Sequence, residues 1–273
     1  MRLLSRARIR ALVGKELLEL WRNRSALLPV AAVAACALIL PLVAGLAVPR
    51  FTGEALSSDP DLAEALARAG EELPRAMALS DEGAVQAFFF NRFVIFLLLV
   101  PVTGSITFAG HSLVGEKLGR SLEPLLATPI TTVELLVAKS LGALIPSLLV
   151  MFATFAVYLT CIGLLAEPGV VGAMLTGRTL LLILCVGPLA SLVALQIGVL
   201  VSARVNDPRT AQQFGALLIL PLTVIFVAQL AGVLVLTVPL TLLMIAVLGA
   251  LWLLLVGAGV LVFDRETILT RWR

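Results

Sequence analysis

Charge is scarce in this sequence. Asp, Glu, Lys and Arg make up 14% of its 273 residues, where an average soluble domain carries about a quarter. Hydrophobic residues reach 60%, and mean hydropathy is +1.08. A packed core does not absorb so large a deficit of charge, so the chain reads as a membrane protein. Histidine occurs once, as His111, and the three cysteines, Cys36, Cys161 and Cys185, form no C-x-x-C pair. That set offers no ligand cluster, so no metal site is assigned, and the cysteines read as packing residues inside apolar runs. The apolar runs are continuous rather than alternating, which excludes a transmembrane β-barrel.

Catalytic machinery is also missing. Gly110-His111-Ser112-Leu113-Val114 imitates the nucleophile elbow G-x-S-x-G, but Val114 stands at the last position and no strand precedes it. His111 and Ser112 are adjacent, so on a helix they point about 100° apart and form no base–nucleophile pair. Residues 110–117, GHSLVGEK, have the glycine spacing of a phosphate loop. Glu116 occupies the lysine position, however, and no Ser or Thr follows Lys117. The chain therefore reads as a non-enzyme that does not bind ATP through such a loop.

What is present is a series of uncharged runs. Arg24 to Arg50 encloses 25 residues without Asp, Glu, Lys or Arg, Arg92 to Glu116 encloses 23, Lys139 to Glu167 encloses 27, and Arg178 to Arg204 encloses 25. Each suits one helix, since crossing the hydrocarbon takes roughly 20 residues. Arg209 to Asp264 encloses 54, enough for two, with the break at Gly232–Pro239 marked by Thr237 and Pro239. The expected fold class is all-α, an integral membrane protein of six transmembrane helices, over 26–48, 93–114, 139–165, 179–203, 211–235 and 239–263.

An even number of spans places both termini on one side. Fifteen basic residues fall on that side and five on the other, so the positive-inside rule puts both termini in the cytoplasm. The net charge of +3 follows from this asymmetry and gives no reason to expect nucleic acid. The first apolar run is too long, and preceded by too many residues, for a secretory signal core. It reads as a retained span.

Residues 8–24, RIRALVGKELLELWRNR, read as an amphipathic interfacial helix, with a plain cytoplasmic extension of the first span as the alternative. Ile9, Leu12, Val13, Leu17, Leu20 and Trp21 fall on one face, and Arg8, Lys15, Glu19 and Arg22 on the other. Lys15 and Glu19 are an i, i+4 pair. Lys15, Glu16, Glu19, Trp21 and Arg22 are the residues expected to set this helix in the headgroup plane of the membrane lipids. Residues 50–87 are an acidic segment too short for a core of its own, expected as a small helical cap. Asp59 caps a helix opened by Pro60 and closed by Gly70, and a second helix starts at Ser80 and runs into the second span. Asp207 and Pro208 open the approach to the fifth span.

The longest cytoplasmic interruption is 115–131, between spans two and three. Glu116, Lys117, Arg120 and Glu123 bring charge, Leu122, Leu125 and Leu126 an apolar face, and Pro124 and Pro129 end local helices. Thr131-Thr132-Val133-Glu134 is a capping box that starts the next helix afresh. A short capped element held between two spans is a lever on which another protein can push. The spans themselves hold no ionisable pair of the kind that ion-coupled carriers place there. Only Gln196, Gln229 and scattered Ser and Thr add polarity, either to line a path or to bond helix to helix. Energy for any transport is therefore expected from outside the chain.

The same stretch carries a resemblance. EKLGRSLEPLLATPITTVELLVAK, residues 116–139, resembles the signature between the second and third spans of the type-2 ATP-binding-cassette (ABC-2, exporter-type) permeases, roughly E-[KR]-E-x-G-[TS]-L-E-x-L-L-x-T-P-[IV]. Glu116, Lys117, Ser121, Leu122, Glu123, Leu125, Leu126, Thr128, Pro129 and Lys139 match, whereas Leu118 and Arg120 stand where the family has Glu and Gly. Residues 15–27 resemble its N-terminal connecting helix, and 207–221 the start of its fifth span. The resemblance implies a permease subunit of an ABC exporter in the bacterial cytoplasmic (inner) membrane. It implies pairing with a second permease subunit, identical or not, and with two copies of a cytoplasmic ABC ATPase. ATP and Mg would bind in that partner and no cofactor in this chain. Coupling would run through Glu116, Lys117, Arg120, Ser121, Leu122, Glu123, Leu125 and Leu126. A non-transport scaffold that recruits a partner through the same loop is the alternative reading.

Overall fold

The computed structural model describes residues 6–68, 73, 75–118, 132–204, 213, 219–231 and 233–262. Among them every regular element is helical. Helix α1 is Arg6–Arg22. Asn23 separates it from α2 and caps the latter, its side chain accepting from the Ala26 amide at 3.3 Å. Helix α2 runs Arg24–Thr52 and includes a π-turn at Val43–Ala47. It ends where Gly53 takes the left-handed conformation that a side chain disfavours (φ 74°).

A short cap follows. Asp59 accepts from the amides of Asp61 at 2.9 Å and Leu62 at 3.4 Å and so opens α3, Pro60–Arg68. Gly70, expected to close that helix, lies outside the described residues. Ser80 accepts from the Gly83 amide at 3.0 Å and starts α4, Asp81–Phe93. A 3-10 stretch, Val94–Leu98, joins α4 to α5, Leu99–Leu118. Helix α6 is Thr132–Leu165 and α7 is Val170–Met174. Helix α8 starts as Gly177–Leu181, passes through a second π-turn at Leu182–Val186 and continues as Gly187–Arg204. Helix α9 is Ile219–Leu230, and α10 is Val238–Val262. Helix α9 ends at Leu230 and α10 starts at Val238, where Thr237 Oγ1 accepts from the Leu240 amide at 3.3 Å and opens α10.

Both π-turns stop two residues short of a proline, Pro49 and Pro188. A proline ring collides with the carbonyl four residues back in a regular helix, and the wider π-turn moves that carbonyl aside. The helices thus absorb these prolines without ending.

Among the described residues five helices are long and apolar enough to cross a membrane: Arg24–Thr52, Asp81–His111, Val137–Leu165, Gly177–Val201 and Val238–Gly257. Helix α9 is apolar but only 12 residues long as described. The α4–α5 unit is the centre, with 89% of its most apolar stretch buried, against 6% for α10. Helix α5 packs on α2, α6 and α8, and α10 leans on α8. The outward faces of α6, α9 and α10 leave Leu149, Val224, Leu253 and Leu254 exposed, an arrangement suited to lipid rather than water.

Packing at the centre depends on small residues. A Cβ on Gly104 of α5 would sit 2.8 Å from Ser147 Oγ on α6, and one on Gly187 of α8 would sit 2.8 Å from Met151 Sδ. Ser105 and Ser191 join their hydroxyls at 2.5 Å across α5 and α8. Where lipid is as apolar as leucine, such close approach supplies the dispersion and hydrogen bonds that hold helices together. Gly104→Val is expected to destabilise the protein by about 2 kcal/mol through overpacking, measured by thermal unfolding in detergent. Gly249→Val, where a Cβ meets nothing within 4 Å, is expected to leave the unfolding midpoint unchanged.

Candidate functional site

Helix α1 lies along the first turns of α6. Of the apolar face, Leu20 is buried and Ile9, Leu12, Val13 and Leu17 are half-buried, while Glu16, expected at the headgroups, is buried as well. Trp21, expected on the same face, is instead 80% exposed. The reason is geometric. Glu16 and Leu20, a turn apart, are the buried line of α1, and Trp21, one residue on from Leu20, points about 100° away from it.

Glu16 is buried because it has a partner. Lys139 Nζ, equally buried on α6, donates to Glu16 Oε1 at 3.1 Å. Gly142 makes room one turn on, since a Cβ there would sit 2.7 Å from Glu16 Cβ. A second pair, Arg8 with the buried Glu134, closes at 3.8 Å. Positive then negative on α1 meets negative then positive on α6, so a slide of either helix brings like charges together. Burying a charge pair returns little net stability, but removing one partner costs about 3–5 kcal/mol because the other is left in low dielectric. The pairs therefore set register and direction. The expected Lys15–Glu19 pair is present at 3.4 Å, but on the surface, where such pairs contribute little.

This dock lies at the start of α6, which follows residues 119–131 in the chain. Helix α5 runs to Leu118, and α6 begins at Thr132, so α1 is fastened to the first two turns after 119–131. Arg120, Ser121, Leu122, Glu123, Leu125 and Leu126 lie outside the described residues, as do the side chains of Glu116 and Lys117. Of the capping box, Glu134 is seen paired with Arg8. Gln196 is half-buried on α8. Gln229 is buried on α9, and its Oε1 lacks a hydrogen-bond partner among the described residues.

The end of the molecule remote from α1, where α2 finishes and α4 starts, is called here the far end. It is more polar inside than the sequence implies. Arg92 and Arg178, which bound two of the uncharged runs in the sequence, are both buried. Arg178 donates from Nη1 to the Leu236 carbonyl at 2.6 Å and from Nη2 to Asn91 Oδ1. Asn91 Nδ2 donates to the Met174 carbonyl and to Thr179 Oγ1, each at 3.0 Å. Arg92 stacks 4.5 Å above the Phe88 ring and donates to the Leu234 carbonyl at 3.5 Å. Tyr158 on α6 donates to the Phe90 carbonyl at 3.0 Å. Sequence reasoning missed this cluster. Its acceptors are mostly backbone carbonyls distant in sequence, which no residue pattern announces. The one usable signal was the asparagine beside an arginine at the edge of an apolar run.

Two open cavities flank the π-turn of α2 at this end. One of about 600 Å³ is lined by Ala44, Val48, Glu54, Asp59 and Phe89 among others. One of about 450 Å³ is lined by Gly45, Arg50, Glu82, Gln86 and Glu167 among others. Glu82 ties the cap down by accepting from the amides of Ser57 at 2.9 Å and Leu56 at 3.4 Å.

Residues 10–243 match the family described as ABC-2 family transporter protein. No curated protein matches the chain.

The dock gives a direct expectation. Glu16→Gln and Lys139→Met are each expected to lower stability by about 3–5 kcal/mol, as for other buried pairs deprived of one partner. Glu16→Leu combined with Lys139→Met is expected to recover most of the loss. Thermal and denaturant unfolding in detergent distinguishes these outcomes.

Proposed function

The chain belongs to the ABC-2 transporter family, and from that membership we propose that it is the permease subunit of an ATP-driven exporter, worked by a separate cytoplasmic ATPase. In this reading the five long helices and an extended α9 make six spans across the bacterial inner membrane, with both termini in the cytoplasm. The excess of basic residues on that side supports the orientation. Helix α1 is the connecting helix in the inner headgroup plane, and its exposed Trp21 suits that level. Residues 115–131 are the coupling segment. Two permease subunits, identical or not, join two ATPase subunits, which hold ATP and Mg.

The observation that carries the proposal is the charged dock between α1 and α6. A force applied to residues 119–131 reaches α6 at Thr132. Because Arg8–Glu134 and Glu16–Lys139 fasten α1 there, α1 and the start of α6 answer as one body. Helix α5 carries the same segment at its other end and is itself the buried centre of the subunit. A push on the loop is thus delivered to the core and to the surface helix together. Packed interfaces of this kind shift between discrete arrangements rather than deform continuously.

No ionisable group in this chain needs to supply the energy, which is the task of the ATPase. Glu123→Lys or Leu122→Trp, in the coupling segment, is expected to release the ATPase or uncouple it while membrane insertion stays normal. Co-purification and vanadate-sensitive ATP turnover in reconstituted membranes report both. Unchanged ATPase binding and turnover in these variants would remove the assignment of the segment. Recovery of the chain with a partner lacking a phosphate loop would favour the scaffold reading.

A further inference from the structure

Two buried arginines at the far end spend donors on the same short stretch of chain. Arg178, at the start of α8, bonds the Leu236 carbonyl, and Arg92, on α4, bonds the Leu234 carbonyl. Both carbonyls belong to the α9–α10 connection, 231–237. Its sequence, AGVLVLT, carries no polar side chain before Thr237, so backbone carbonyls are its means of polar attachment to the rest of the molecule. The connection is turned accordingly, with Leu236 at 1% exposure and Val233 at 83%.

The arginines are themselves held in place. Asn91 fixes the Arg178 guanidinium and is fixed in turn by Met174 and Thr179, so α4, α7 and α8 form one frame. The Phe88 ring supports the Arg92 guanidinium from below. What the frame holds has most of its surface outside the protein core, since only 6% of the most apolar stretch of α10 is buried and α10 leans mainly on α8. Charge-assisted bonds to carbonyls are strong while dry. At the rim of a membrane, unlike its centre, water can take over both partners when they separate. The bond pattern therefore suits repeated breaking and remaking.

We propose that Arg92 and Arg178 are a releasable latch, positioning residues that hold the α9–α10 connection closed over the far ends of α4 and α8 and let go when that end opens. The latch rests on the transporter reading for its place in a cycle. Its closure can be tested without ATP.

The test uses the full chain with its ATPase in proteoliposomes, with Cys36, Cys161 and Cys185 replaced by alanine. Leu236→Cys is then labelled from the far side by a membrane-impermeant charged maleimide. Slow labelling is expected with both arginines present, and fast labelling after Arg178→Gln. Ile162→Cys, buried on α6, serves as control and is expected to stay slow. If Arg178→Gln also exposes the control, the packing has been lost and Arg92→Gln replaces it under the same criteria. Fast labelling with both arginines present, or unchanged slow labelling in the variant, overturns the latch. Trapping with ATP and vanadate is expected to speed labelling with both arginines in place. ATP turnover without that change makes the bonds a static staple and also overturns the latch. Absence of ATP turnover would instead count against the transporter reading, leaving the arginine variants to decide the latch.

Discussion

An ammonium and a carboxylate taken out of water cannot stay charged in a low-dielectric interior unless they meet. Lys139 and Glu16 meet at 3.1 Å, across 123 residues of sequence. That requirement determines where α1 lies, since no other place along α6 offers Glu16 the same partner. It also explains Gly142, whose missing side chain lets the two helices approach. Once α1 is fixed, the Asn23 break sets the start of α2, and α2 in turn packs on the central α5. The subunit is arranged outward from a single charged contact at one end and small-residue contacts in the middle.

The two ends of the molecule handle charge differently. Around α1 and α6, opposite charges face each other in a pattern that forbids sliding. At the far end, guanidinium groups turn to carbonyls and to an asparagine instead. Ion pairs of fixed register suit elements that move together. Arginine–carbonyl bonds near water suit elements that separate. For an ABC-2 permease this division is coherent with the proposed route of force, in which the fastened α1–α6 pair lies beside residues 119–131 and the α9–α10 connection lies at the opposite end.

Features fixed by neighbouring residues were legible in the sequence. The uncharged runs gave the long helices, and Asp59, Ser80 and Thr237 cap or open helices where their local chemistry implies. Glu123 and its neighbours carried the family resemblance, which the match over 10–243 supports. Features fixed by distant partners were not legible. Lys139 reads as a span-edge charge until Glu16 is placed beside it, and Glu16 reads as surface until α6 is known. In the sequence Arg92 and Arg178 only bound uncharged runs, because backbone acceptors leave no trace in composition. The π-turns were missed too, although Pro49 and Pro188 mark them, because a proline in an apolar run signals a kink without specifying how the helix accommodates it.

The most direct measurement is a pair of distances by double electron–electron resonance in the reconstituted transporter, with the labelled permease diluted among unlabelled copies. Spin labels at Leu18 on α1 and Leu149 on α6, both exposed, report whether those helices move as one body. Labels at Leu18 and the exposed Leu184 on α8 report movement against the rest of the subunit. The expected result is an α1–α6 distance that is the same with and without trapped ATP, while the α1–α8 distance changes. An α1–α6 distance that shifts with nucleotide as much as the α1–α8 distance would contradict the rigid dock, and with it the proposed route of force.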